Sequence, residues 1–121
     1  MERVANWLPL RSQTHRKAQA MILEIASIEI LAHKHDEFEG AIKFAVETVL
    51  STAKGFNSFQ LQHGIENPNM YTLLIHWETL EDHTVGFREG PLYPLWRSHI
   101  EAFFAGKPEV FHWSQVFAIK A

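Results

Sequence analysis

Alternation of apolar and polar positions is clearest from Tyr71 to Glu78. Tyr71, Leu73, Ile75 and Trp77 fall on one side, and Thr72, Leu74, His76 and Glu78 on the other, which predicts a strand. Three further stretches share that period. Ile22–Leu31 places Ile22, Ala26, Ile28 and Ile30 on one face and Leu23, Ile25, Ser27 and Leu31 on the other. Both faces are mostly apolar, as in a strand covered on both sides, with Glu24 and Glu29 as exceptions. Phe56–Ile65 sets Phe59, Leu61, His63 and Ile65 opposite Ser58, Gln60 and Gln62. Val110–Ile119 sets Phe111, Trp113, Gln115, Phe117 and Ile119 opposite Val110, His112, Ser114, Val116 and Ala118.

Between these strands the period lengthens. Phe38, Ala41, Ile42, Ala45, Val49 and Ala53 recur at three- and four-residue steps, predicting a helix. Asp36 is its expected cap with Glu39 reciprocal to it, and Lys54-Gly55 its expected end. Glu66-Asn67-Pro68-Asn69 reads as the turn of a hairpin. Thr79 and Asp82 form a capping pair before a helix carrying Leu80, His83 and Phe87. Gly90-Pro91 breaks that helix and starts another, with Leu92, Trp96, His99 and Phe103 on its inner face.

The order strand, helix, strand, strand, helix pair, strand is the α+β, ferredoxin-like split βαβ arrangement, a four-stranded antiparallel sheet with helices on one face. Helices cover one sheet face only, and the other remains apolar. A bare face of that kind predicts a homodimer packed sheet on sheet. His76 and His112 are assigned to this uncovered face.

Composition narrows the partners. The chain has 121 residues, enough for one domain, and a formal net charge of −3 with no concentrated basic face, which argues against nucleic acid. Without cysteine there is no disulfide or thiol chemistry, and the cytoplasm is the expected location. No apolar run approaches the roughly 20 residues that span a membrane. Residues 1–20 lack a regular period and hold Arg3, Arg11, Arg16 and Lys17 against Glu2, so they are expected to be a flexible extension before a domain at 21–121.

Gly55-Phe56, Gln62-His63-Gly64, Asn67-Pro68-Asn69, Tyr71-Thr72-Leu73-Leu74, Trp77-Glu78-Thr79 and Val110-Phe111-His112-Trp113, in that order, resemble the antibiotic biosynthesis monooxygenase domain family over about Ile22 to Ile119. The resemblance implies a dimeric α+β barrel in which two sheets face each other. Some members are cofactor-independent monooxygenases of aromatic phenols. Related barrels degrade haem, isomerise small phosphorylated signals or have no established reaction. Haem-degrading members use a first-strand asparagine, a third-strand tryptophan and a histidine on the following helix. Trp77 matches the tryptophan, while Ser27 stands near the asparagine position, which argues against haem chemistry and leaves Ser27 a candidate substrate contact.

A cofactor-free oxygenase must ionise its substrate and hold the anion in a dry cavity while oxygen reacts. The space between sheet and helices supplies candidates. Tyr71 and Trp77 come from the sheet, His83 and Phe87 from the first short helix, and Trp96, His99 and Phe103 from the next. His83 and His99 are the candidate catalytic residues, and the aromatics are candidate substrate contacts. Each has an alternative reading: a core histidine with one hydrogen-bond partner, or an indole buried for its area. Arg88 suits either an anionic substrate group or a surface ion pair. His33-x-His35 is the only close histidine pair and lacks converging ligands, so no metal is expected. The absence of a glycine-rich phosphate loop favours cofactor-free chemistry or none. The leading expectation is therefore a monooxygenase of a small aromatic or quinol-like substrate. The alternatives are a barrel that binds a small hydrophobic ligand without turnover and an isomerase or lyase on a small metabolite.

Overall fold

The computed structural model describes residues 21–121, so the expected extension at 1–20 lies outside the described residues. Its elements are β1 (Ile22–Glu29), α1 (His35–Thr48), β2 (Phe56–His63), β3 (Met70–Trp77), a π-helical segment (Asp82–Phe87), α2 (Leu92–Ile100) and β4 (Glu109–Ser114). The sheet order is β2-β3-β1-β4 and every neighbouring pair is antiparallel. This is the expected ferredoxin-like topology.

The alternation read in β3 is the one the sheet uses. Tyr71, Leu73, Ile75 and Trp77 are buried, and the residues between them are half-buried. On β1 the buried set is Glu24, Ala26 and Ile28, continued by Ile30 just past its end, with a glutamate on the core face. The stripe of α1 packs onto this layer through Phe38, Ile42 and Ala45, continued by Val49, Leu50 and Ala53. The β2–β3 hairpin closes with Gly64 N–H donating to Met70 O at 2.8 Å and Met70 N–H to Asn67 O at 2.9 Å.

Three local expectations are corrected. Asp36 does not cap α1: Lys34 occupies the cap position without a side-chain bond, and Asp36 and Glu37 lie in the first turn, where their charge suits the free amides. Glu39 instead accepts the Tyr71 hydroxyl at 2.5 Å. Gly55 does adopt a left-handed φ of 83°, but it follows a 3-10 turn at Leu50–Thr52 and leads into β2 rather than ending α1. The last strand stops at Ser114 instead of reaching Ile119. β4 pairs only with β1, whose first residue Ile22 already faces Ser114, so the chain beyond has no ladder to join. Val116, Phe117 and Ile119 are exposed there.

Candidate active site

Beneath α2 lies a cavity of about 920 Å³. Its floor is apolar, from Ala26 and Ile28 on β1, Leu73 and Ile75 on β3, and Phe87, Trp96 and Ile100 from the covering segments. Into that floor project Glu24 and His83, and around it stand Arg88, Tyr93, Arg97 and Lys107.

Glu24 reaches the cavity because β1 points it inward, 5% exposed, opposite Ile75 on β3 and His112 on β4. Trp77 Nε1–H donates to its Oε1 at 2.9 Å. His83 enters from the π-helical segment, started by Thr79, whose Oγ1 accepts from Asp82 N–H at 3.1 Å, as the capping pair implied. The wide turn is closed by Arg88 N–H donating to His83 O at 2.9 Å, and it presents His83, Phe87 and Arg88 to the cavity together. π turns of this kind recur at functional sites. His83 is 3% exposed and stacks on Trp77 with ring centres 5.2 Å apart. Its Nε2 lies 3.3 Å from Glu24 Oε1, and its Nδ1 lies 2.8 Å from His112 Nε2. Trp77, Glu24, His83 and His112 thus form one continuous polar chain through an apolar layer.

Burial governs the electrostatics. It raises the Glu24 carboxyl from 4.5 to about 7, against the lowering by the Trp77 hydrogen bond and the Arg88 charge. It lowers His83 from 6.5 to about 4, helped by His112 and Arg88, so this imidazole is neutral at neutral pH. His112 is lowered by burial and then by Arg88. At the cavity wall, burial pushes the Tyr93 phenol up, but the Arg97 hydrogen bond and Arg88 outweigh it and hold Tyr93 below its ordinary value. Arg97 Nη1–H donates to Tyr93 Oη at 3.0 Å, and the Arg88 guanidinium sits 5.6 Å from the Tyr93 ring centre.

Of the residues singled out from the sequence, His83, Phe87, Arg88 and Trp96 line the cavity. Trp77 is buried behind it, acting on Glu24 and His83 rather than forming its wall. The others sit elsewhere. Ser27 lies on the opposite face of β1 from Ala26 and Ile28, because strand neighbours point to opposite sides. Tyr71 is at the far end of β3, stacked on His63 at 4.3 Å, with its hydroxyl on Glu39. Phe103 packs against Phe38. His99 meets Phe44 of α1, because α2 turns Trp96 and Ile100 inward and places His99 between the helices. His112 shares the inner face with Glu24, whereas His76 lies on the outer face and hydrogen-bonds Ser58 at 3.0 Å; the assignment of both to the uncovered face fails for His112.

Glu24, Tyr93 and Arg97 are site residues that the sequence does not single out. Glu24 had a signal, a lone acid on an apolar strand face, but its partners come from distant parts of the chain. Among the described residues no group of three or more His, Cys, Asp or Glu side chains is placed to hold a metal ion. No helix there is long and apolar enough to cross a membrane.

A family model described as "Antibiotic biosynthesis monooxygenase" matches residues 21–93. The Bacillus subtilis (strain 168) protein named "Uncharacterized protein YczJ" is 36% identical over 96 residues, covering 79% of this chain and all of that protein. A solved structure from Bordetella bronchiseptica, named "Putative antibiotic biosynthesis monooxygenase", is 35% identical with a TM-score of 0.77, covering 82% of this chain and 100% of its own. SnoaB of Streptomyces nogalater, named as a cofactor-independent oxygenase and solved as a mutant, shares the fold at a TM-score of 0.69, with 12% identity over 84% of this chain and 99% of its own.

Proposed function

Because the chain belongs to the antibiotic biosynthesis monooxygenase family, we propose that it oxidises a flat aromatic substrate, of anthrone or quinol type, with molecular oxygen and no bound cofactor. The observation that carries this reading is the Glu24–His83 pair set into the apolar floor of a cavity large enough for a small polycyclic molecule.

Glu24 is the base in this reading. A general base works best with a pKa near the working pH, and its value of about 7 meets that condition, whereas His83 at about 4 is too weak a proton acceptor. His83 orients the carboxyl and Trp77 stabilises its ionised form. The ionised substrate gives electrons to oxygen, and a carbon–oxygen bond forms to give a peroxide. Where the reacting carbon is a methylene, as in an anthrone, the product of this step is a secondary hydroperoxide. Loss of water from it leaves a ketone, so one oxygen atom enters the product and one leaves as water. Apolar walls keep bulk water from the anion, and Arg88 and Arg97 favour its negative charge. The enzyme would act as a homodimer formed through the outer sheet face, where Phe111 and Trp113 are 63% and 55% exposed.

Oxygen uptake with a panel of anthrones and hydroquinones tests the reading. We expect substrate-dependent uptake in the wild type that falls by about 100-fold or more in Glu24→Gln and His83→Ala. Ligand binding without uptake, unaffected by either substitution, would identify a ligand-holding barrel instead.

A further inference from the structure

We propose that Glu24, His83 and His112 form a proton relay from the cavity floor to water outside it, with His112 as the outlet. This rests on the reading above, in which the cavity ionises its substrate. His83 Nδ1 and His112 Nε2 are hydrogen-bonded at 2.8 Å, and Glu24 Oε1 lies 3.3 Å from His83 Nε2, a contact that a small turn of the carboxyl brings to hydrogen-bond geometry. The state of one group therefore dictates the tautomer of the next.

Each end of the chain has a group to exchange with. Among the described residues Glu24 Oε2 has no hydrogen-bond partner, and the residue lines the cavity. Among them His112 Nδ1 likewise has none, on a half-exposed side chain of the edge strand that takes no part in the cavity lining. Trp77 faces the relay from β3, Arg88 from the π-helical segment, and Tyr93 and Arg97 border the same cavity from α2. Arg88 opposes positive charge on either imidazole, which favours a transfer that leaves both neutral.

Such a transfer balances. Glu24 begins as the neutral acid with its proton on Oε1. Oε1–H breaks as His83 Nε2–H forms, His83 Nδ1–H breaks as His112 Nε2–H forms, and His112 Nδ1–H breaks to release a proton to water, which leaves Glu24 as the carboxylate base. The substrate X–H bond then breaks and Oε2–H forms, leaving the electron pair on the substrate. Glu24 and both histidines end neutral, with the two tautomers exchanged. Once oxygen has added, the peroxide anion takes the proton on Oε2 and the chain runs inward, restoring the starting state. His112 touches no substrate and acts through His83.

Nitrogen-15 NMR of the histidine rings in the full chain, with carbon-13 NMR of the Glu24 carboxyl, tests this between about pH 5 and 9. The expected result is that His83 stays neutral and that the two rings exchange tautomers together, at the midpoint where Glu24 titrates. His83 should carry Nδ1–H with the acid and Nε2–H with the carboxylate. Glu24→Gln should abolish the exchange; if that variant does not fold, coincidence of the three wild-type midpoints carries the test. A His83 that keeps one tautomer while Glu24 titrates, or a His112 whose tautomer does not follow that of His83, overturns the relay. The measurement needs neither substrate nor oxygen. Intact coupling without oxygen uptake upholds the relay and removes the oxygenase reading, and uptake without coupling does the reverse.

Discussion

Glu24 is the residue on which the site's acid–base behaviour turns. Its carboxyl is raised from 4.5 to about 7, chiefly by burial. The folded protein therefore binds this proton more tightly than the unfolded chain. The resulting stability is fully present below about pH 4.5 and is lost as the pH rises through 7. A shift of this size corresponds to about 3 kcal/mol. His83 has the opposite sign: lowered from 6.5 to about 4, its contribution is present above 6.5 and lost as the pH falls through 4, in the wild type and in a Glu24 variant alike. Glu24→Gln removes the ionisable group and keeps the shape. Relative to the wild type it should gain about 1–3 kcal/mol as the pH is raised from 5 to 8, read from urea unfolding at the two pH values. An unchanged difference would place Glu24 in water. The role of this residue was only half legible. An acid on an apolar strand was visible from periodicity, but its value depends on Trp77, His83 and His112, which the sheet register and the π turn deliver from other segments.

Among the elements, alternation was a sound guide wherever a neighbour existed to pair with. β3 lies between β2 and β1, and its faces are those the sequence implies. Beyond Ser114 the same alternation continues without a partner strand among the described residues, and no ladder forms there. Helical phase was harder to read: the choice between His99 and Ile100 as the inward residue of α2 depends on a shift of one position, and packing against Phe44 decides it. The connection from α1 into β2 shows how little room such junctions leave. A Cβ at Gly55 would overlap the Asp82 carboxylate, which Lys54 holds at 3.2 Å, and the backbone there is left-handed. Gly55→Ala should therefore cost about 1–3 kcal/mol and loosen the start of the π-helical segment that carries His83. Chemical denaturation measures the first effect, and hydrogen exchange at the Arg88 amide the second. Wild-type stability in this variant would mean that Asp82 swings aside freely.

For the molecule as a whole, the outer sheet face is where the proposed homodimer is tested. Leu23 and Ile25 of β1 lie beside Trp113 and Phe111 of β4 on one flank and His76 and Leu74 of β3 on the other, with no helix of the described residues over them. Apolar strips of this kind on soluble proteins are interaction surfaces. Light scattering of the wild type at micromolar concentration should give twice the chain mass, and Phe111→Glu, altering a side chain on the side away from the cavity, should give the monomer. A monomeric wild type would remove the homodimer.

On β4, two outward aromatics bracket one inward imidazole, and all three share adjoining peptide planes. A shift of that strand to suit a new companion would tilt the ring of His112 and lengthen its 2.8 Å reach toward His83. Sociability and acid–base tuning are thus geared to the same short ribbon, and a descendant that alters one inherits a change in the other.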